Sequence, residues 1–333
     1  MTLDQRSSGD GTLVTWQVDE TTMEGTLVVP SGDGPFPAVV MVAGSGPTDR
    51  DWNTPLLIGT NGSARLLAEA FARAGLASLR YDKRASGPRA REVVMAMIGR
   101  VSMQSHLDEL AAAVRHLASD PRVRRDRIFI VGNSEGTLHA INYSLHHTDL
   151  PLAGLVLIAP PGRSIGAVAR SQIAAQVAPL PEGEAIMSLY DAAVVRFEAG
   201  LPVDADPSLP PGIQGLLQGL SAPVNLPFPR QLWITDGAQL LPQVQVPVLV
   251  VIGQKDIQVD WRADGQPLQL AAAGLTDVTF AFPEHANHVL KHEARPRSEL
   301  GGQVAATYNA DEAILDPEGT KTIIDWLQKH ASG

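Results

Sequence analysis

Cysteine is absent from the 333 residues, which excludes disulfides, zinc–thiolate sites and a cysteine nucleophile. That absence fits any redox compartment. Positive charge is scarce: 26 Lys and Arg against 36 Asp and Glu give a net charge of −10. Neutralising nucleic-acid phosphates needs clustered cations, so a nucleic-acid partner is not expected. The one dense basic run, Arg122 to Arg127, is short and reads as a solvated turn before a strand. No apolar run approaches the ~18 residues that cross a bilayer, so no stable membrane association is expected. Met1 to Asp10 lack a basic segment followed by an apolar one. No secretory signal is read there, and the expected location is cytoplasmic. Low-complexity tracts and internal repeats are also missing. What remains is 44% hydrophobic and 19% charged, an ordinary globular composition that fits one large α/β domain or two smaller ones.

Strand-like runs are read at Thr12 to Val18, Met23 to Val29 and Ala38 to Ala43, the second and third parted by the turn Pro30-Ser-Gly-Asp-Gly-Pro35. Ser63 is expected to cap a helix whose stripe is Leu66, Leu67, Ala70, Phe71 and Ala74, ended by Gly75. A strand at Ala77 to Tyr81 follows. Then comes a helix capped by Ser105, with Leu107, Leu110, Ala111, Val114 and Leu117 at helical spacing. Further strands are read at Ile128 to Val131, Gly154 to Ala159, Val248 to Ile252 and Val278 to Phe282. Eight strands alternating with helices imply a mostly parallel sheet with helices on both faces and chemistry at the strands' carboxyl ends.

The stretch between the sixth and seventh strands is too long for a plain crossover. Helical patterns at Val168 to Val177 and Glu184 to Phe197 alternate there with the Pro-rich stretches Pro207 to Pro211 and Pro223 to Pro229. The expected division is an α/β core of residues 1–162 and 240–333, with residues 163–239 as an inserted helical cap. A separate small domain is the alternative.

Gly132-Asn-Ser134-Glu-Gly136 joins a strand directly to a helix. In a G-x-S-x-G elbow the glycines allow a sharp turn that lifts the serine hydroxyl clear of the sheet. Gly162-Arg-Ser164-Ile-Gly166 matches the same pattern, but Pro160-Pro161 separates it from its strand, so Ser134 is preferred as nucleophile. Acyl transfer also needs amide donors for the developing oxyanion. The Glu135 amide follows the nucleophile, and the loop Ala43-Gly-Ser-Gly-Pro47 offers the Ser45 amide, or those of Gly44 or Gly46.

A base and an orienting acid complete such a site. Asp256 lies just past the strand Val248 to Ile252; Asp260 and Asp264, further along and read onto a following helix, are less well placed. The last strand leads into Pro283-Glu-His285-Ala-Asn-His288-Val-Leu-Lys-His292. His288 has the loop length to swing back towards Ser134, His285 is the runner-up, and His292 is expected to be exposed. The chain order Ser, Asp, His suits this architecture.

With these residues in place, the chain resembles the α/β-hydrolase superfamily and its bacterial serine carboxylesterases. The matching segments are Gly44-Ser-Gly-Pro-Thr-Asp-Arg-Asp51, Arg80-Tyr-Asp-Lys-Arg84, Gly132 to Gly136, Gly253-Gln-Lys-Asp-Ile-Gln-Val259 and Asn287-His-Val-Leu-Lys291. The resemblance implies the α/β-hydrolase fold, hydrolysis of a small-molecule carboxylic ester, no cofactor or metal, and Ser134, Asp256 and His288 as the triad. Ala43 and Ala85 stand where relatives usually carry His and Gly; the first bears on how the oxyanion loop is held. Asp49, Arg50, Asp51 and Arg84 are expected to form an ion-pair network fixing that loop. The same apparatus can hydrolyse thioesters or amides or transfer the acyl group, and a non-catalytic binding scaffold is the contrasting class. The oligomeric state, monomer or homodimer, is left open.

Overall fold

The computed structural model describes residues 11–84, 86–147, 150–301, 308–310 and 312–332. Ala85 and Met1 to Asp10, both discussed above, lie outside them. Eight strands, the central ones built from continuous apolar runs, pair into one sheet. Its strands are β1 (Thr12–Val18), β2 (Thr21–Val28), β3 (Phe36–Val42), β4 (Ala77–Tyr81), β5 (Val123–Asn133), β6 (Leu152–Ile158), β7 (Val248–Val251) and β8 (Val278–Ala281). The spatial order is β1-β2-β4-β3-β5-β6-β7-β8. The first two strands run antiparallel and the others form a parallel sheet. This is the α/β-hydrolase architecture anticipated from sequence.

Alternation along the central strands builds two cores. Val40, Val42, Ile128, Ile130, Leu155 and Leu157 pack on one face, with Leu110 and Val114 of α3 (Met103–Ala118) and Ile141 of α4 (Glu135–His146). Val39, Met41, Phe129, Val131, Val156 and Ile158 pack on the other. There they meet Leu67 and Phe71 of α1 (Ser63–Arg73) and Ile323 and Leu327 of α11 (Pro317–Ala331). A strand covered on both faces must be apolar at every position, which is why these runs do not alternate in sequence.

Several boundaries shift. Ser63 is the first helical residue of α1, Gly62 is its cap, and the Asn61 side chain accepts from the Ser63 amide at 3.0 Å. Helix α3 is capped by Ser102, not Ser105. Ser105 sits one turn in; its Oγ accepts from the Ser102 amide while Ser102 Oγ accepts from the Ser105 amide, a reciprocal capping box. The Arg122 to Arg127 run is mostly strand: β5 starts at Val123, which pairs with Phe36, while Arg124 and Arg127 point outward to Asp126. Helix α2 (Ala90–Ala96) was not anticipated.

Between β6 and β7 the chain forms α5 (Ile165–Val177), α6 (Gly183–Glu198), α7 (Pro211–Ser221), α8 (Phe228–Trp233) and α9 (Gly237–Leu240). The Pro-rich stretches run into α7 and α8, because proline fits the first helical turn, where its missing N–H has no partner to lose. Ile173 and Val177 of α5, Ile186 and Tyr190 of α6, and Ile213 and Leu217 of α7 form a separate hydrophobic cluster. Ser164 and Asp236 pair at the neck of the excursion. Elsewhere it touches loops at the sheet's carboxyl edge: Pro227 pairs with Val101, Gln231 Oε1 accepts from the Met103 amide at 2.8 Å, and Gln172 donates to the Gln258 carbonyl at 2.8 Å. No helix among the described residues is long and apolar enough to cross a membrane.

Candidate active site

The strand order reverses its direction of growth at β3, whose neighbours are β4 on one side and β5 on the other. Crevices that hold ligands open at such switch points, outside the carboxyl ends. The loop after β3 carries Gly44, Ser45 and Gly46, and β5 ends at Asn133, directly before Ser134. A Cβ built on Gly44 would lie 3.3 Å from the Ser134 Cβ, so the two loops meet.

Ser134 has φ 54° and ψ −122°, a strained turn between β5 and α4. Neighbouring backbone leaves room only for hydrogen at the flanking glycines. A Cβ on Gly132 would meet Gly136 O at 2.5 Å, and one on Gly136 would meet Val42 O at 2.5 Å. The turn is pinned by Ser134 N donating to Ile158 O at 2.8 Å and by Thr137 Oγ1 donating to Ser134 O at 2.6 Å. Among the described residues the Ser134 hydroxyl makes no hydrogen bond, which leaves it free to rotate.

His288 and Asp256 meet directly, with Nδ1 to Oδ2 at 2.8 Å. Asp256 is fully buried, and its Oδ1 accepts from the Gln258 and Val259 amides at 2.7 and 2.9 Å. The histidine loop is shaped by Asn287, whose Oδ1 accepts from the Val289 and Lys291 amides at 3.1 and 2.9 Å. It reaches the nucleophile elbow through Asn133, whose Nδ2 donates to the His288 carbonyl at 2.9 Å. Asp256 and His288 are therefore joined to each other, and His288 is joined to the residue preceding Ser134.

The alternatives are committed elsewhere. Ser164 caps α5, accepting from the Ala167 amide at 3.3 Å. Asp264 is buried and binds Arg163 at 2.9 and 3.0 Å; it is the residue before α10 (Gly265–Ala271), not on it. Asp260 accepts from the Arg262 and Ala263 amides and from Arg297. The His285 ring lies tilted against that of His292, which is exposed and lies 3.3 Å from Asp316.

The loop after β3 is held differently from the expected network. Arg50 binds Asp82 at 2.5 Å and Glu24 at 3.1 Å, and Arg80 pairs with Asp51 at 3.3 Å. Asp49 accepts from the amides of Asp51 and Asn53 and makes no ion pair among the described residues. Arg84 does not join them. It turns to the α3 side and pairs with buried Glu109 at 3.1 Å. Burial raises the Asp51 carboxyl above its usual value, against the pull of Arg80.

Sequence reading overlooked the buried set beneath the elbow. Lys83, 4% exposed, donates to the Gly44 carbonyl and lies 3.4 Å from Glu135 Oε1. Glu135 also meets His139 Nε2 at 3.2 Å. Burial would raise its carboxyl, but Lys83 and the His139 hydrogen bond hold it well below the usual range. Burial pushes His139 down. The i, i+4 spacing of Glu135 and His139 was the available signal; the partner on β4's exit loop was not readable from spacing.

A family described as serine aminopeptidase, S33 (Hydrolase_4) matches residues 59–182, which include Ser134 but neither Asp256 nor His288. Esterase EstD of Thermotoga maritima is 30% identical over 153 residues, 45% of this chain and 33% of that protein. The chain thus spans about a third of the length of that relative. Among solved structures, the proline iminopeptidase of Mycobacterium smegmatis superposes with a TM-score of 0.59 at 15% identity, over 96% of this chain and 99% of the other. A Pyrococcus furiosus esterase superposes with a TM-score of 0.56 at 15% identity, over 96% and 91%. Sheet order, elbow and these superpositions agree: in fold, the chain is an α/β-hydrolase.

Proposed function

We propose that the protein is a carboxylic ester hydrolase that works through a covalent acyl-enzyme on Ser134. His288 Nε2 takes the Ser134 proton as Oγ attacks the ester carbonyl. The Ser45 and Glu135 amides hold the oxyanion, and Asp256 stabilises the imidazolium. Collapse breaks the ester bond, and the leaving alcohol takes its proton from His288. A water that gives its proton to His288 then attacks the acyl carbonyl, releases the acid and restores the Ser134 hydroxyl. The helices between β6 and β7 act as the cap over the acyl group.

The observation that carries this reading is the 2.8 Å bond between His288 and buried Asp256, on a loop whose His288 carbonyl accepts from Asn133, the residue before Ser134. The 30% identity with an esterase supports the choice of ester. A panel of p-nitrophenyl esters of increasing acyl length, run with Ser134→Ala beside the parent, tests it. Hydrolysis that disappears in the variant is expected; undiminished hydrolysis would contradict it. The serine aminopeptidase match supports peptide hydrolysis as the second reading. Aminoacyl p-nitroanilides cleaved faster than every ester would favour it.

A further inference from the structure

Lys83 is a buried cation with two unlike partners. It lies on the loop leaving β4, 4% exposed, and its ammonium binds the Gly44 carbonyl as well as the Glu135 carboxylate. Were it only a counter-ion for Glu135, the carboxylate would be its nearer contact. Instead the Gly44 oxygen is nearer, and Glu135 Oε1 stands back at 3.4 Å with His139 Nε2 as a second partner at 3.2 Å. The neighbouring charges are balanced separately: Arg84 pairs with Glu109 at 3.1 Å, and His106 lies 3.7 Å from Glu109.

The Gly44 carbonyl belongs to the same peptide unit as the Ser45 N–H. A peptide is planar and trans, so fixing its C=O fixes the direction of its N–H. A cation on the oxygen also polarises the unit, leaving the N–H a stronger donor. The amides of Gly44, Ser45 and Gly46 all lack a backbone or side-chain acceptor among the described residues. Lys83 singles out one of them. Its other partner, Glu135, carries the second donor N–H at the start of α4.

We propose that Lys83 is a positioning residue that sets the Gly44–Ser45 peptide, and Glu135 with it, as a two-amide oxyanion hole. It touches neither substrate nor reacting atoms, and it acts through the Gly44 carbonyl. The proposal rests on the esterase reading above and goes beyond it by assigning the hole's geometry to one side chain outside the triad. It also accounts for a loop that begins Ala43-Gly44: the oxygen of that peptide is held from below by Lys83, not by a side chain preceding the glycine.

The test is Lys83→Met alone and combined with Glu135→Gln, which removes the buried charge left unpaired. Loss of one oxyanion donor costs about 10²- to 10³-fold in kcat, and a loosened donor costs less. We expect the double variant to melt close to the parent, with kcat on a p-nitrophenyl ester about 30- to 300-fold lower and KM within about threefold. The affinity of an alkyl boronic acid, which forms a tetrahedral adduct on serine, should weaken in step with kcat. Parental kcat in the folded double variant would overturn the proposal and leave Lys83 a counter-ion. Should the methionine variants not fold, Lys83→Gln with Glu135→Gln fills the neutral pocket with a polar side chain that ends one bond short of the lysine ammonium and so gives up its contact with the Gly44 carbonyl. Under the same criterion, kcat reduced at least tenfold with KM held supports the proposal, and parental kcat overturns it. Ser134→Ala distinguishes the two levels of inference: activity surviving there sinks the esterase reading itself, whatever Lys83 does.

Discussion

Asp256 accepts three hydrogen bonds on two oxygens, and their division decides what an asparagine there would do. Oδ1 takes the Gln258 and Val259 amides, so an asparagine must keep its oxygen on that side and turn its NH2 towards His288 Nδ1. The ring would then have to accept at Nδ1 and carry its proton on Nε2, the wrong tautomer for a base. Asp256→Asn should therefore lower kcat by about 10⁴-fold with little change in melting temperature; steady-state kinetics beside a thermal melt check it, and near-parental kcat would refute the role. The meeting of Asp256 and His288 beside the Ser134 elbow was legible from sequence because each of these residues follows a strand end in the chain order this architecture uses. The contact of Lys83 with Gly44 was not, since the two lie 39 positions apart in sequence. Arg84 was misjudged for the same reason: adjacent residues on a turn point to opposite sides, and only the fold shows that its partner is Glu109.

The elbow is the element on which the site depends. Its glycines are required by contact distances, with Val42 O only 2.5 Å from where a Cβ on Gly136 would stand. Because that neighbour is backbone of a central strand, little can yield. Gly136→Ala is expected to cost about 1–3 kcal/mol or more, read as a lower urea midpoint at unchanged slope, together with loss of esterase activity. An alanine tolerated at full stability and activity would contradict the packing described. The two G-x-S-x-G matches show how an element settles what a motif cannot. At Ser134 strand meets helix directly, whereas at Ser164 two prolines intervene and the serine caps α5. Strand cores were readable because burial on both faces demands unbroken apolar runs. Caps were less so: Ser102 and Ser105 both suit a helix start, and the reciprocal box uses both. Helices α7 and α8 were hidden by prolines that mark their first turns.

At the scale of the whole molecule, the buried charges beneath the elbow predict how stability follows pH. Burial lowers His139, so the unfolded chain binds a proton that the folded chain resists. Its contribution is complete above about pH 6.5 and is lost as pH falls through the folded value. Glu135 and Glu109 are lowered by their cationic neighbours against the cost of burial. Their contributions are complete above about pH 4.5 and are lost progressively as pH falls from there towards the folded values. Asp51, raised by burial, works in the opposite sense on the acid side but is one group against two. Urea midpoints should be level from about pH 7 to 8, decline below pH 6.5 and fall more steeply below 4.5; a midpoint constant from pH 7 to 4 would contradict this. The fold as a whole was legible in the alternation of strands and helices, but how the helices between β6 and β7 meet the sheet edge was not, because contacts such as Pro227 with Val101 join segments far apart in sequence. The central claim is that Ser134 is the nucleophile, and it is tested most directly by treating the protein with a fluorophosphonate and mapping the adduct by mass spectrometry. The account predicts a single adduct on Ser134 whose formation parallels loss of esterase activity. An adduct on Ser164, or active protein that takes no label, would contradict it.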